Sequence, residues 1–171
     1  MRRRRLRLRD YDYGQPGAYF ITICSHHRTC LFGAIGVEGL ELNSFGRLVA
    51  ETWREQVEAT PGSSTDEWIV MPNHFHAIVL IEEEEGGSRA APTRPLGTIV
   101  NAFKTVSAKR INQTRNTPGR PVWQRNYFEH IVRTDGELDR IRDYIRQNPA
   151  KWEIDPENPQ AKPGLPTVGA R

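Results

Sequence analysis

Met71-Pro72-Asn73-His74-Phe75-His76-Ala77-Ile78-Val79-Leu80 sets two histidines either side of one bulky apolar residue and follows them with a strand-like apolar run. In a β-strand, side chains at i and i+2 leave the same face of the sheet. His74 and His76 therefore present two imidazoles side by side, while Phe75 points into a core on the opposite face. Two same-side imidazoles make half of a metal site. They would equally suit a buried structural pair, so the rest of the chain has to decide between the two.

Working outward, the elements alternate. Residues 18–24 (Ala-Tyr-Phe-Ile-Thr-Ile-Cys) are β-branched and aromatic and read as a strand. Residues 31–42 read as a loop or short hairpin. Asn43 or Ser44 caps a helix running to about residue 59, with Phe45, Leu48, Val49, Trp53 and Val57 on one face. Residues 67–71 and 74–81 are strands joined by a tight Pro72-Asn73 turn, and 83–95 is a loop. A second helix spans 96–112, a strand lies within 122–132, and a third helix covers 135–148, capped by Thr134 or Asp135 and stopped by Pro149. The order β-α-β-β-α-β with a final helix predicts an α+β fold of the ferredoxin-like, split-βαβ kind. In it an antiparallel sheet carries helices on one face and a catalytic C-terminal helix is added. The expected organisation is a basic arm at 1–12, one domain at 13–152, and a proline-rich, extended or disordered tail at 153–171.

Charge is segregated rather than large. Residues 1–9 hold six arginines and no acid, which leaves 18 basic and 21 acidic residues in the remainder. Residues 86–128 hold eight Lys or Arg and again no acid. Such a chain presents a basic face without being basic overall, the footprint of a phosphate-binding surface. The candidate phosphate contacts are Arg2, Arg3, Arg4 and Arg5 in the arm, with Lys104, Lys109, Arg110 and Arg125 in the second block. Trp123 is the candidate platform for base stacking. Two cysteines make no disulfide framework, no apolar run approaches the ~20 residues that span a membrane, and no signal peptide is visible. The expectation is a cytoplasmic protein with no membrane partner.

The third helix supplies what the histidines lack. In Asp143-Tyr144-Ile145-Arg146-Gln147-Asn148-Pro149 the i, i+4 relation puts Tyr144 and Asn148 on one helical face. A hydroxyl able to attack and an amide oxygen able to complete a metal site then share one rigid element. Tyr127 is the rival nucleophile, but no amide residue lies one helical turn from it. His26 and His27 suit a solvated strand end, and His130 suits either a supporting contact or packing.

At these residues the chain resembles the REP-associated tyrosine transposases, within the HUH superfamily of single-strand DNA nucleases. The resemblance rests on Gly17-Ala18-Tyr19-Phe20-Ile21-Thr22-Ile23, Met71-Pro72-Asn73-His74-Phe75-His76, Trp123-Gln124-Arg125-Asn126-Tyr127-Phe128-Glu129-His130 and Tyr144-Ile145-Arg146-Gln147-Asn148-Pro149. It implies metal-dependent cleavage of single-stranded or hairpin DNA, beside palindromic repeats, and strand transfer through a 5′-phosphotyrosine. It also implies Tyr144 as nucleophile, and His74, His76 and Asn148 as ligands of Mg²⁺ or Mn²⁺. Related single-tyrosine transposases often carry glutamine at the third ligand position. Gln147 is adjacent but ~100° around the helix. A non-catalytic nucleic-acid binding module and a metal-dependent hydrolase without a covalent step are the alternative readings. Monomer and homodimer are both open.

Overall fold

The structure, a computed structural model, describes residues 16–82 and 95–161. The candidate arm contacts Arg2, Arg3, Arg4 and Arg5, the 83–94 stretch and the end of the tail lie outside the described residues. Strand β1 is Gly17–Cys24, followed by a short hairpin of β2 (Gly33–Gly36) and β3 (Gly39–Leu42). Helix α1 (Ser44–Glu58) leads to β4 (Ser63–Val70) and β5 (His74–Ile81). Helix α2 (Pro95–Thr114), β6 (Phe128–Val132) and helix α3 (Asp135–Gln147) complete the domain. Four strands form one sheet in the order β4-β5-β1-β6, and each neighbouring pair is antiparallel. This is the α+β, split-βαβ arrangement the element order predicts.

Strand alternation divides the sheet into two faces with different jobs. Tyr19, Ile21 and Ile23 of β1, with Phe75, Ala77 and Val79 of β5, face the core built on α1 and α2. Phe20 and Ile78 face the other way and meet Ile145 of α3 in a second, smaller cluster. The pairing Cys24↔His74, Thr22↔His76 and Phe20↔Ile78 sets the two histidines on the α3 side of the two central strands. Phe75 lies opposite, with its ring 4.8 Å from Trp53 and 5.0 Å from Phe103.

Helix α1 begins at Asn43, whose side chain accepts from the Gly46 N–H at 3.0 Å. Gly46 is required there, because an added Cβ would run into the Phe32 carbonyl. Helix α3 is capped by Thr134 accepting from Glu137 N–H at 3.2 Å. Residues 31–42 resolve as a hairpin. The strand expected over 67–71 starts earlier, at Ser63, because a register shift between Thr65 and Trp68 interrupts its alternation. That irregularity has a use. It carries Asp66 and Glu67, which meet Arg142 and Arg146, one turn apart on α3, at 2.6 and 2.5 Å. Helix α3 is thereby clamped to the sheet edge as well as packed on its face.

The core rests heavily on Trp53, fully buried between Phe75 and Phe103, with its Nε1–H donated to Thr65 at 3.3 Å. Trp53→Ala is expected to cost ~3–5 kcal/mol and lower the melting temperature by on the order of 10 °C. Chemical denaturation checks this, and a change under 1 kcal/mol would contradict the packing described.

Candidate active site

The site forms where the ends of β1 and β5 meet the last turn of α3. His74 is fully buried and His76 is 1% exposed. Asn73, from the turn before β5, sets the first imidazole. Its Nδ2 donates to the backbone oxygens of Glu157 (2.6 Å) and Arg28 (3.1 Å), which fixes the amide so that Oδ1 faces His74 Nδ1 at 2.9 Å. A carbonyl oxygen only accepts, so His74 carries its proton on Nδ1 and keeps a lone pair on Nε2. His76 Nδ1 lies 2.8 Å from Thr22 Oγ1. Its Nε2 faces the Tyr144 hydroxyl at 3.5 Å. Sequence reading treated Asn73 only as a turn residue; its buried position between two backbone carbonyls is what reveals the orienting role.

Asn148 is 2% exposed and its Oδ1 stands 3.3 Å from His74 Nε2. Gln147 is exposed. Beyond Asn148 the chain makes a 3-10 turn, Pro149–Ile154, and then folds back. Asp155 and Glu157 are 3% and 6% exposed, and Asp155 Oδ2 lies 3.9 Å from His74 Nε2. Glu157 contacts Arg28 at 2.9 Å and accepts from Cys24 Sγ–H at 3.2 Å. The stretch from 153 to 161, expected to be extended or disordered, is instead pinned by these buried carboxylates.

Burial lowers the pKa of His74, against the opposing pull of Asp155 and Glu157. Burial, reinforced by the neighbouring His74, holds His76 well below the ordinary imidazole value. Both are neutral at neutral pH, as metal ligands must be. The Tyr144 phenol is pushed up to about 12, first by burial and then by Asp155 and Glu157. With Nδ1 of His74 committed to Asn73, His74 Nε2 faces Asn148 Oδ1 at 3.3 Å and Asp155 Oδ2 at 3.9 Å, and Asp155 Oδ2 has no hydrogen-bond partner among the described residues. That donor set fits a cation. Among the described residues no three His, Cys, Asp or Glu side chains form a ready-made cluster.

The lowered histidines make stability depend on pH. Above 6.5, the ordinary imidazole value, both states hold them neutral. As pH falls through 6.5 the unfolded chain takes up protons that the folded site refuses, so stability is lost from there down toward the folded pKa values. The slope reaches at most ~1.4 kcal/mol per pH unit for each histidine. Thermal melts in EDTA between pH 7.5 and 5 are expected to show the melting temperature falling below 6.5, and a flat profile would contradict the burial.

Comparison with known proteins now bears on this geometry. The family model described as "Transposase IS200 like" matches residues 47–148, which take in His74, His76, Tyr144 and Asn148. The chain belongs to the IS200-like transposase family. An uncharacterized Haemophilus influenzae protein is 36% identical over 166 residues, covering 90% of this chain and 91% of its own. A second protein of that organism, whose description assigns it to the REP-associated tyrosine transposases, is 25% identical over 141 residues, covering 82% and 74%. A solved REP-associated tyrosine transposase, bound to a REP hairpin, shares the fold with a TM-score of 0.53 at 20% identity, covering 80% of this chain and 68% of its own. Membership makes this an enzyme of the transposase kind. Among the described residues no helix is long and apolar enough to cross a membrane.

Of the other candidate residues, Lys104, Trp123 and Arg125 line one open surface pocket. Tyr127 packs against the α1/α2 core, on the face opposite the histidines. At 7% exposed, Trp123 is mainly a core residue rather than an open stacking platform, its ring tilted against Phe32 and Phe103 and its Nε1–H donated to Ser107 at 2.9 Å. Lys104 spends its ammonium on the backbone oxygens of Gln124 and Arg125, at 2.9 and 3.0 Å. Arg110 is held by Glu55 at 2.6 Å and by Thr52 at 3.0 Å. Both charges are thus partly engaged within the protein. Lys109 and Arg125 are exposed. Arg125 is the better placed, because the adjoining Gln124 N–H bonds Cys24 O, and Cys24 pairs with His74. His130 pairs with Glu137 at 2.7 Å beside the start of α3.

Proposed function

We propose that this transposase-family enzyme cleaves single-stranded DNA, next to hairpins of palindromic repeats, and rejoins it through a 5′-phosphotyrosine on Tyr144. The observation that carries the reading is the Tyr144 hydroxyl facing His76 Nε2 at 3.5 Å, one helical turn from Asn148 Oδ1 at His74. A nucleophile and a set of nitrogen and oxygen donors suited to a cation then share one small volume. The relative solved with a REP hairpin supports DNA as the partner.

His74, His76 and Asn148 would hold Mg²⁺ or Mn²⁺, both compatible with neutral nitrogen and oxygen donors. Bound there, such an ion would supply charge neutralisation at the scissile phosphate and would favour the ionised phenol. The chain's own residues do the positioning. Thr22 and Asn73 hold the imidazole orientations, Phe20 packs edge-on against the Tyr144 ring at 6.0 Å, and the Arg142 and Arg146 clamps fix α3. In the chemical step the Tyr144 oxygen bonds to phosphorus and loses its proton. The bond to the 3′ oxygen breaks, and that oxygen gains a proton, leaving a free 3′-OH and a 5′ phosphate on Tyr144. Attack by a second 3′-OH reverses the step and joins two strands. In-line placement of two oxygens on one phosphorus dominates such transfers. Arg125, Lys109 and the arginine arm are the proposed backbone contacts.

The test is a labelled, hairpin-flanked single strand incubated with the protein and Mn²⁺ and run on a denaturing gel. A nicked product with an equimolar protein–DNA adduct is expected. Binding without nicking would reduce the protein to a binding module, and nicking without adduct would make it a hydrolase.

A further inference from the structure

Asp155 lies in the stretch that the sequence reads as a tail, yet it is among the most buried charged residues described, at 3% exposed. Its two oxygens have different fates. Oδ1 accepts the Glu157 N–H at 2.7 Å, a local turn bond. Oδ2 is buried and has no hydrogen-bond partner among the described residues. Arg28 does not answer it, because its guanidinium pairs with Glu157 at 2.9 Å. Burying a carboxylate oxygen without a partner is expensive, and natural exceptions mark a bound ion or water.

The surroundings favour the ion. Oδ2 lies 3.9 Å from His74 Nε2, which is itself 3.3 Å from Asn148 Oδ1. Donors around an octahedral cation at ~2.1 Å stand ~3.0 Å apart when adjacent and ~4.2 Å apart when opposite. Both separations fall inside that span.

We propose that Asp155, through Oδ2, is a further ligand of the metal centre and contributes the negative charge that its neutral histidine and amide donors lack. This rests on the metal-centre reading above. It makes the segment after α3 part of the active site rather than a tail, and ties its order to the bound ion. A carboxylate also shifts the donor set toward Mg²⁺ and Mn²⁺ and away from softer ions.

The experiment is calorimetric titration of Mn²⁺ into the metal-free full chain and into Asp155→Asn and Asp155→Ser. Serine keeps an acceptor for the Glu157 N–H, so it separates loss of the ligand from loss of the turn. Circular dichroism and melting in EDTA identify the variants that fold. Wild type is expected to bind Mn²⁺ and to melt higher with it. The folded variant is expected to bind at least ~10-fold more weakly and to lose that rise. Any smaller loss of affinity overturns the role of Asp155 while leaving the metal centre in place. No Mn²⁺ binding by wild type overturns the metal centre itself, and the proposal with it.

Discussion

Tyr144→Phe is expected to abolish the covalent protein–DNA adduct and to lower Mn²⁺-dependent cleavage by at least ~10⁴-fold, the scale on which removing a nucleophile acts. The substitution is unusually clean. The ring is held by Phe20 at 6.0 Å and by His76 at 5.3 Å, and phenylalanine keeps both contacts. The hydroxyl's bond to His76 is long, at 3.5 Å, so its loss costs little stability, within ~1 kcal/mol. Unchanged melting with vanished adduct therefore isolates chemistry from folding. DNA affinity should also hold, since the proposed phosphate contacts lie elsewhere. Tyr127→Phe is the control. Its ring packs on the helix side of the sheet, and its adduct should equal that of wild type. Cleavage surviving in Tyr144→Phe would end the covalent mechanism.

The phenol's high pKa sharpens the dependence on metal. With Tyr144 pushed up to about 12 by burial and two carboxylates, very little phenolate exists at neutral pH without a cation. Among the described residues the charged groups acting on the hydroxyl are the carboxylates of Asp155 and Glu157, which oppose its ionisation.

Local periodicity explains what was legible beforehand. Alternation along β5 put His74 and His76 on one face and Phe75 on the other, and helical spacing put Tyr144 beside Asn148. Asn148 is buried beside His74 while Gln147 is exposed, which favours Asn148 for the proposed third position. What failed was information carried by distant contacts. Asn73 bonds Glu157 across 84 residues and Cys24 bonds it across 133, and no local pattern announces such a return. Prolines and acids at 153–161 read as a solvated tail because their composition gives no apolar reason to fold back. Trp123 failed similarly: a tryptophan beside a basic segment suits a stacking platform, but its neighbours Phe32 and Phe103 come from other elements. Lys104 and Arg110 showed only their charge in the sequence, not the backbone carbonyls and the Glu55 carboxylate that occupy it.

His76→Ala carries the second large effect and tests three links of the chain at once. Losing one imidazole from a neutral donor set should drop Mn²⁺ affinity by more than ~100-fold, beyond what losing a supporting partner does, and remove adduct formation under Mn²⁺ concentrations that saturate wild type. The same variant should be no less folded at pH 7 than a buried cavity of that size allows, at ~1–3 kcal/mol. Its acid sensitivity should change in the opposite sense. His76 is one of the two groups refused a proton by the folded state, so deleting it reduces the loss of stability as pH falls below 6.5. Activity, metal affinity and acid sensitivity then move together for a single reason, the buried neutral imidazole. Cleavage within tenfold of wild type at equal Mn²⁺ would remove the histidine pair from the reaction and return it to the structural role that its sequence spacing alone allowed.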